Sequence, residues 1–221
     1  MDPALFLQIG TVLRWLGIAA LPLFLLPLVT LVLPGAAEAI SKRVSALIDR
    51  VTGLAGGAAI ASALLLVFFQ LLVVTLRYAF GVSFTWLNEL VIYAFAAMFM
   101  LGAAAALRDD DHVRVDILRP RFGAAGRNWV ELAGIYFFLF PIMIRILMTG
   151  EQGLIRTWSL FEGSRESDGL PFLYLFKTLV PVFAVLMLAQ GLSEALKAAL
   201  RLTGRMEERA APAATEGAHG A

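Results

Sequence analysis

The sequence has no cysteine, which removes disulfides, thiolate catalysis and thiolate metal ligation together. It has two histidines, His112 and His219, and neither lies inside an apolar run, so a haem ligated by histidines within membrane spans is excluded. Charge is scarce as well. Charged residues make up 16% of the chain, against about 25% in soluble domains. With 60% hydrophobic residues and a mean hydropathy of +0.81, the chain lacks the polar surface it would need in water. It is read as an integral membrane protein. The net charge of +1 leaves no electrostatic footprint for nucleic acid; the arginines gather in short loops, where they set topology. There is no phosphate-cradling loop, no HExxH and no serine–histidine arrangement with an orienting carboxylate, so no catalytic residue is assigned. Nor is there the internal repeat, with helices interrupted at the midplane, that marks a self-sufficient transporter. The first apolar stretch is too long for a signal peptide and no clear cleavage site follows it.

What is present is a series of apolar runs of membrane length. The most informative is Phe84 to Leu118, which opens on Trp86 and Glu89. It continues uncharged from Leu90 to Leu107 and closes in Arg108, three aspartates and His112. Eighteen such residues cross a hydrocarbon core of roughly 30 Å. Similar runs occupy 54–76, 130–148 (with Pro141 and Arg145) and 170–192 (with Lys177 and Pro181). A first, proline-punctuated run covers Ala4 to Leu33, read as a span with Arg14 at an interface. Between it and the second run, residues 37–52 place Ile40, Val44, Leu47, Ile48 and Val51 on one side of a helix. That segment is expected to lie flat on the membrane or to bind a partner.

The chain is thus expected to be all-α, a polytopic membrane helical bundle of about five transmembrane helices plus amphipathic surface helices. Its divisions are an extra N-terminal transmembrane helix (1–36), an amphipathic interfacial helix (37–52), a four-helix core (53–200) and a cytoplasmic tail, largely disordered (201–221). Arginine-rich loops at 41–50, 108–127 and 197–209 alternate with poor ones at 77–89 and 150–169. The alternation places the N-terminus in the periplasm and the C-terminus in the cytoplasm.

Few residues invite a chemical role. Asp109, His112 and Asp116 would share one face of a continuous helix, but Arg108 and Arg114 can pair with the aspartates, so no metal site is assigned. Glu89, one turn inside a membrane helix, needs a partner, and Arg77 at the preceding helix end is its natural intrachain counterion. It is expected to be structural, because few titratable groups lie behind it to relay a proton. Gly53, Gly56, Gly57 and Ala61 form a small-residue face for close helix packing, within the chain or against another subunit.

An ordered set of residues resembles the small membrane subunit of tripartite ATP-independent periplasmic (TRAP) transporters. Arg77-Tyr78 closes one helix, Trp86 with Asn88-Glu89 opens the next, and Gly102-Ala103-Ala104, Arg108, His112, Val115-Asp116 and Leu118 follow. The resemblance covers roughly Gly53 to Leu192. Two departures stand out: Asn88 occupies a position where the family often has a second acid, and the N-terminal helix and its amphipathic continuation are additions. The resemblance implies a non-catalytic small permease subunit without cofactors in a bacterial inner membrane, in contact with membrane lipid. A large TRAP membrane subunit would bind the sodium ions and the solute, typically an organic acid, and a periplasmic substrate-binding protein would deliver it. The small subunit would act as scaffold, and Arg77, Trp86, Glu89, Gly102, Arg108, His112 and Asp116 would serve as interface or structural residues. The alternatives are a membrane anchor of a redox or other enzyme complex, and a self-sufficient small transporter.

Overall fold

The computed structural model describes residues 21–112 and 122–207. The first part of the N-terminal run, Asp116 and the tail beyond 207 lie outside the described residues. The architecture is an all-α bundle of four long apolar helices and a shorter one, with no strand among the described residues. Helix α1 (Leu21–Val32) begins as a 3-10 turn and becomes α-helical at Leu26. Pro34 then opens α2 (Pro34–Phe80), where its missing N–H costs nothing. Helix α3 is Thr85–Asp109, α4 is Ala124–Ser159 and α5 is Leu173–Leu202.

Three boundaries differ from the sequence expectation. No break separates the 37–52 segment from the following span, and α2 runs through both as one helix of 47 residues. At 1.5 Å per residue it is about 70 Å long, more than twice the hydrocarbon thickness. Glycine at 53, 56 and 57 would loosen a helix in water, but near lipid the backbone gains by keeping its bonds within the segment. The orientation of the first third also differs. It buries the small and polar face, Ala37, Ser41, Ser45 and Thr52, and leaves Ile40, Leu47 and Val51 exposed.

The second difference lies in α4. The expected loop from Glu151 is helical as far as Ser159, and the connection to α5 shortens to residues 160–172. Gln152 and Arg156, four residues apart, share an exposed face, while Leu154, Ile155 and Trp158 continue the inward side. A single π-helical turn, Ile135–Leu139, precedes Pro141. Such a turn shifts the register of side chains and brings Ile135, Phe140 and Met143 onto the core. Third, α5 does not stop with the apolar run at 192 but continues as helix to Leu202. Its C-terminal half is the most buried part of the fold: Ala195, Leu196, Ala198, Ala199 and Leu200 have no exposed surface.

Helix α5 is the axis of the bundle, touched by each of the other helices. Gly191 makes one close approach possible, since a Cβ there would sit 2.7 Å from a Leu139 methyl and 3.2 Å from the Phe140 ring. Helix ends are closed by backbone. Gly81 takes the left-handed conformation after α2 (φ 69°), and Val82 N–H donates to the Leu76 carbonyl. Asp110 does the same after α3 (φ 67°), with Asp111 N–H donating to Ala106, a left-handed position that aspartate tolerates.

Candidate functional site

Polar side chains concentrate at the two ends of the bundle. At the first end, α5 presents Gln190, Ser193, Glu194 and Lys197, spaced to share one helix face, toward Asp49 and Thr52 of α2. Lys197 Nζ lies 2.9 and 3.0 Å from the two Asp49 oxygens and 2.7 Å from Glu194 Oε1. The Gln190 amide donates to Asp49 (3.1 Å) and Glu194 (3.0 Å), and its carbonyl accepts from the Thr52 hydroxyl (2.8 Å). The Ser193 hydroxyl adds a bond to Asp49 at 2.8 Å. Glu194 is 1% exposed and Gln190 and Ser193 not at all, so these groups had to find partners within the protein.

Arg108 brings α3 into the same end. Its guanidinium lies over Gly53, where a Cβ would stand 2.7 Å from Nη1, and donates to the Asp49 backbone carbonyl at 3.2 Å. Two further bonds, of 2.7 and 2.8 Å, hold Asp109. Arg201 reaches Glu131 of α4 at 3.8 Å, and Arg205 reaches Glu38 of α2 at 3.1 Å. The ends of four helices are thereby tied to one another through charge and hydrogen bonds. A few turns along, Gly56 meets the Ala105 methyl (2.9 Å from a Cβ at 56) and Gly102 meets the Ala59 methyl at 3.4 Å.

The opposite end is organised by Glu89. Its carboxylate accepts from the Ser164 hydroxyl and, at 2.6 Å, from the Leu170 backbone N–H. Ser164 N–H in turn donates to the Leu170 carbonyl at 2.9 Å. Gly169 is squeezed into this turn, since a Cβ would fall 2.2 Å from Ser164 Oγ and 2.9 Å from Glu89. The 160–172 connection is thus held by one carboxylate on α3. Beside it, Lys177 pairs with Glu162 at 2.5 Å, which keeps the Glu162 carboxyl below its usual range. Trp158 donates to Thr178 at 2.9 Å and packs edge-on to Tyr174, while Tyr93 stacks on Phe176 with ring centres 4.6 Å apart.

The residues singled out in the sequence fall into three groups. Gly53, Gly56, Gly102 and Arg108 meet at the α2–α3 contact, so that part of the small-residue face is spent inside the chain. Gly57 has open space around it and Ala61 is exposed. Glu89 and Trp86 stand at the other end, with Trp86 37% exposed and 5.9 Å from the Phe84 ring. Arg77 is exposed, and among the described residues no ion pair joins it to Glu89. The carboxylate turned to the 160–172 connection, where a hydroxyl and a backbone N–H satisfy it without a second charge. Asp109 and His112 do not share a helix face, because α3 ends at Asp109 and His112 lies in an exposed bend; Asp116 lies outside the described residues.

Sequence reading missed Asp49, Gln190, Ser193, Glu194, Lys197 and Ser164. The α5 set was legible, because four polar residues at i, i+3, i+4 and i+7 interrupt an apolar helix on one side. A family model described as "Tripartite ATP-independent periplasmic transporters, DctQ component" matches residues 63–201. The chain belongs to the DctQ family. No curated protein and no solved structure matches it. The DctQ stretch begins within α2 and ends within α5. It therefore includes Glu89 and the polar face of α5, while Asp49, the partner of that face, precedes it. A DctQ chain is a component of a membrane transport system, and DctQ components are in general not enzymes.

Proposed function

We infer that this chain is the non-catalytic small permease subunit of a sodium-coupled uptake system for an organic-acid-type solute, and that it serves as a static scaffold for the large membrane subunit. The observation that carries the reading is the distribution of polarity. A solute or ion path needs polar groups at mid-membrane depth that can be reached from each side in turn. Here the buried polar groups sit at the two ends and are bonded across helices, while the middle of the bundle is Ala184, Met187, Leu188 and their apolar neighbours. Bonds of this kind hold helices still. Sodium and solute sites belong, in this reading, to the large subunit, and a periplasmic protein delivers the solute.

The first end is assigned to the cytoplasm. Lys42, Arg43, Arg50, Arg108, Arg127, Lys197, Arg201 and Arg205 gather there, as the positive-inside rule favours. The connection held by Glu89 then faces the periplasm. The test is reconstitution in liposomes under an inward sodium gradient, with the chain alone, with the other two components alone, and with all three. Uptake that requires all three supports the scaffold. Uptake by the chain alone rejects it, as does full uptake without it.

A further inference from the structure

One outward surface does not suit lipid. Two contacts fix the depth of α4 in the bundle, Glu131 to Arg201 at 3.8 Å near one end and Trp158 to Thr178 at 2.9 Å near the other. Arg145 lies between them, fourteen residues from Glu131 and thirteen from Trp158. At 1.5 Å per residue these separations are about 21 and 20 Å, in a hydrocarbon core of roughly 30 Å. Arg145 therefore stands close to the midplane, too far from either headgroup layer to snorkel as arginines near helix ends do.

Its side chain points away from the bundle. Phe140, Met143 and Thr157 form the buried side of this half of α4, and Arg145 is exposed. Thr149, Gln152 and Arg156, four, seven and eleven residues on, extend the same exposed strip. Among the described residues, the side chains of Arg145, Gln152 and Arg156 bond to nothing. Thr149 turns its hydroxyl back onto the Arg145 carbonyl at 2.7 Å. The outward faces of α2 and α3 contrast with this. They show Leu64, Leu65 and Phe68, and Ile92, Phe95 and Phe99, as lipid requires.

The geometry points to this strip of α4 as the docking face for a helix of the large membrane subunit that carries an aspartate or glutamate at mid-membrane depth, paired with Arg145. Gln152 and Arg156 extend the polar contact toward the Glu89 end. The inference rests on the scaffold reading and adds which face is covered and by what chemistry. An arginine at that depth is rare unless it is paired or faces a hydrated cavity, and a guanidinium–carboxylate pair supplies both charge and two directed bonds.

The test uses the assembled complex in membranes, with a photo-cross-linking residue at Met148, which is 67% exposed and one turn from Arg145, or at Phe95 on α3, which is 54% exposed. The expected result is an adduct with the large subunit from 148 and none from 95. Arg145→Leu and Arg145→Glu should lower the recovered complex at least about tenfold, and Arg145→Lys should retain most of it. Arg145→Leu should melt at or above the parent temperature when isolated, because it takes an unpaired charge out of hydrocarbon and breaks no side-chain bond within the chain. Restoration of Arg145→Glu by an acid-to-arginine change in the large subunit would identify the partner carboxylate. Adducts from 148 to lipid alone, or to a second copy of this chain, would overturn the proposal. So would unchanged recovery of Arg145→Leu. Adducts to the large subunit from 95 and not from 148 would refute this face while leaving the scaffold reading standing. Failure of the two subunits to co-purify at all would remove both.

Discussion

Lys197→Met tests whether the polar cluster at the Asp49 end holds the bundle together. Methionine keeps the apolar stem and removes the ammonium group. Lost with it are the contacts of 2.9 and 3.0 Å to Asp49 and of 2.7 Å to Glu194. The two carboxylates remain close together, because both accept from the single Gln190 amide at 3.1 and 3.0 Å. Glu194 cannot turn to water, being 1% exposed. Removing one partner of a buried ion pair costs about 3–5 kcal/mol. The Asp49 side chain is 28% exposed, so hydration recovers part of the cost and places the loss nearer about 3 kcal/mol. For a chain of this size that corresponds to a fall in Tm of about 6–12 °C. Tryptophan fluorescence during heating in nanodiscs reads it directly. The double variant Lys197→Met/Glu194→Gln should recover at least half of the fall, since it removes the buried charge that has lost its lysine, and the two changes should be non-additive. A Lys197→Met protein melting within about 2 °C of the parent would refute the reasoning.

Glu89→Ala should free the 160–172 connection by deleting two bonds to a carboxylate, at a cost of about 2 kcal/mol; the measurement is hydrogen exchange at the Leu170 amide, and Glu89→Gln, which retains one acceptor, should exchange more slowly than Glu89→Ala. Gly56→Leu should lower the melting temperature by driving a side chain into Ala105, whereas Gly57→Leu meets open space and should leave it unchanged; equal effects at the two positions would contradict the packing. Because the Glu162 carboxyl is held below its usual range by Lys177, its contribution to order in the 160–172 connection should be complete above the ordinary glutamate value. That contribution is lost as pH falls through the lower, folded value, so protection factors in this connection, the exchange rates divided into those of the unstructured amides at the same pH, should be flat from about pH 5 to 8 and fall below about pH 4. Single cysteines at 83 and 160 should react with an impermeant reagent from the periplasm and one at 124 should not; labelling at 124 from outside reverses the assigned orientation.

The apolar runs were legible because bilayer thickness writes a length into the sequence. Their ends were less so, for a physical reason. A polar residue beyond an apolar run reads as loop, yet Gln152 and Arg156 share an exposed face of a helix whose other side still buries Thr157 and shields Leu154 and Ile155. The same ambiguity hid the reach of α5, whose apolar run ends at 192 while Glu194 and Lys197 beyond it belong to its polar contact with α2. The 37–52 segment misled in the opposite sense. Its apolar stripe is real but split, with Ile40, Leu47 and Val51 turned outward and Val44 and Ile48 packed against the core beside the buried Ser41, Ser45 and Thr52. Glu89 needed a partner, and charge alone suggested Arg77. A nearby Ser164 hydroxyl and Leu170 N–H supply one instead, which spacing in sequence cannot reveal across 75 and 81 residues.

The placement of polar groups at the ends and on one outward strip of the proposed scaffold follows from the solvent. Within lipid, apolar faces gain little by meeting one another, so helix contacts depend on close packing of small residues and on hydrogen bonds. The Gly53–Arg108 and Gly56–Ala105 contacts supply the first, and the Asp49 and Glu89 clusters supply the second where water can still solvate the rims. An arginine at the midplane is different in kind. Left in hydrocarbon it costs at least about 2.5–3.5 kcal/mol, a sizeable part of the about 5–15 kcal/mol by which a typical domain is stable. The isolated subunit carries that cost and the assembled one does not, provided a carboxylate meets Arg145. The folding of this chain and its docking then become one equilibrium. Each kilocalorie lost at the Arg145 contact is taken from the stability that the complex confers on the subunit. A body stiffened at both ends and completed along α4 is one against which a moving partner can work.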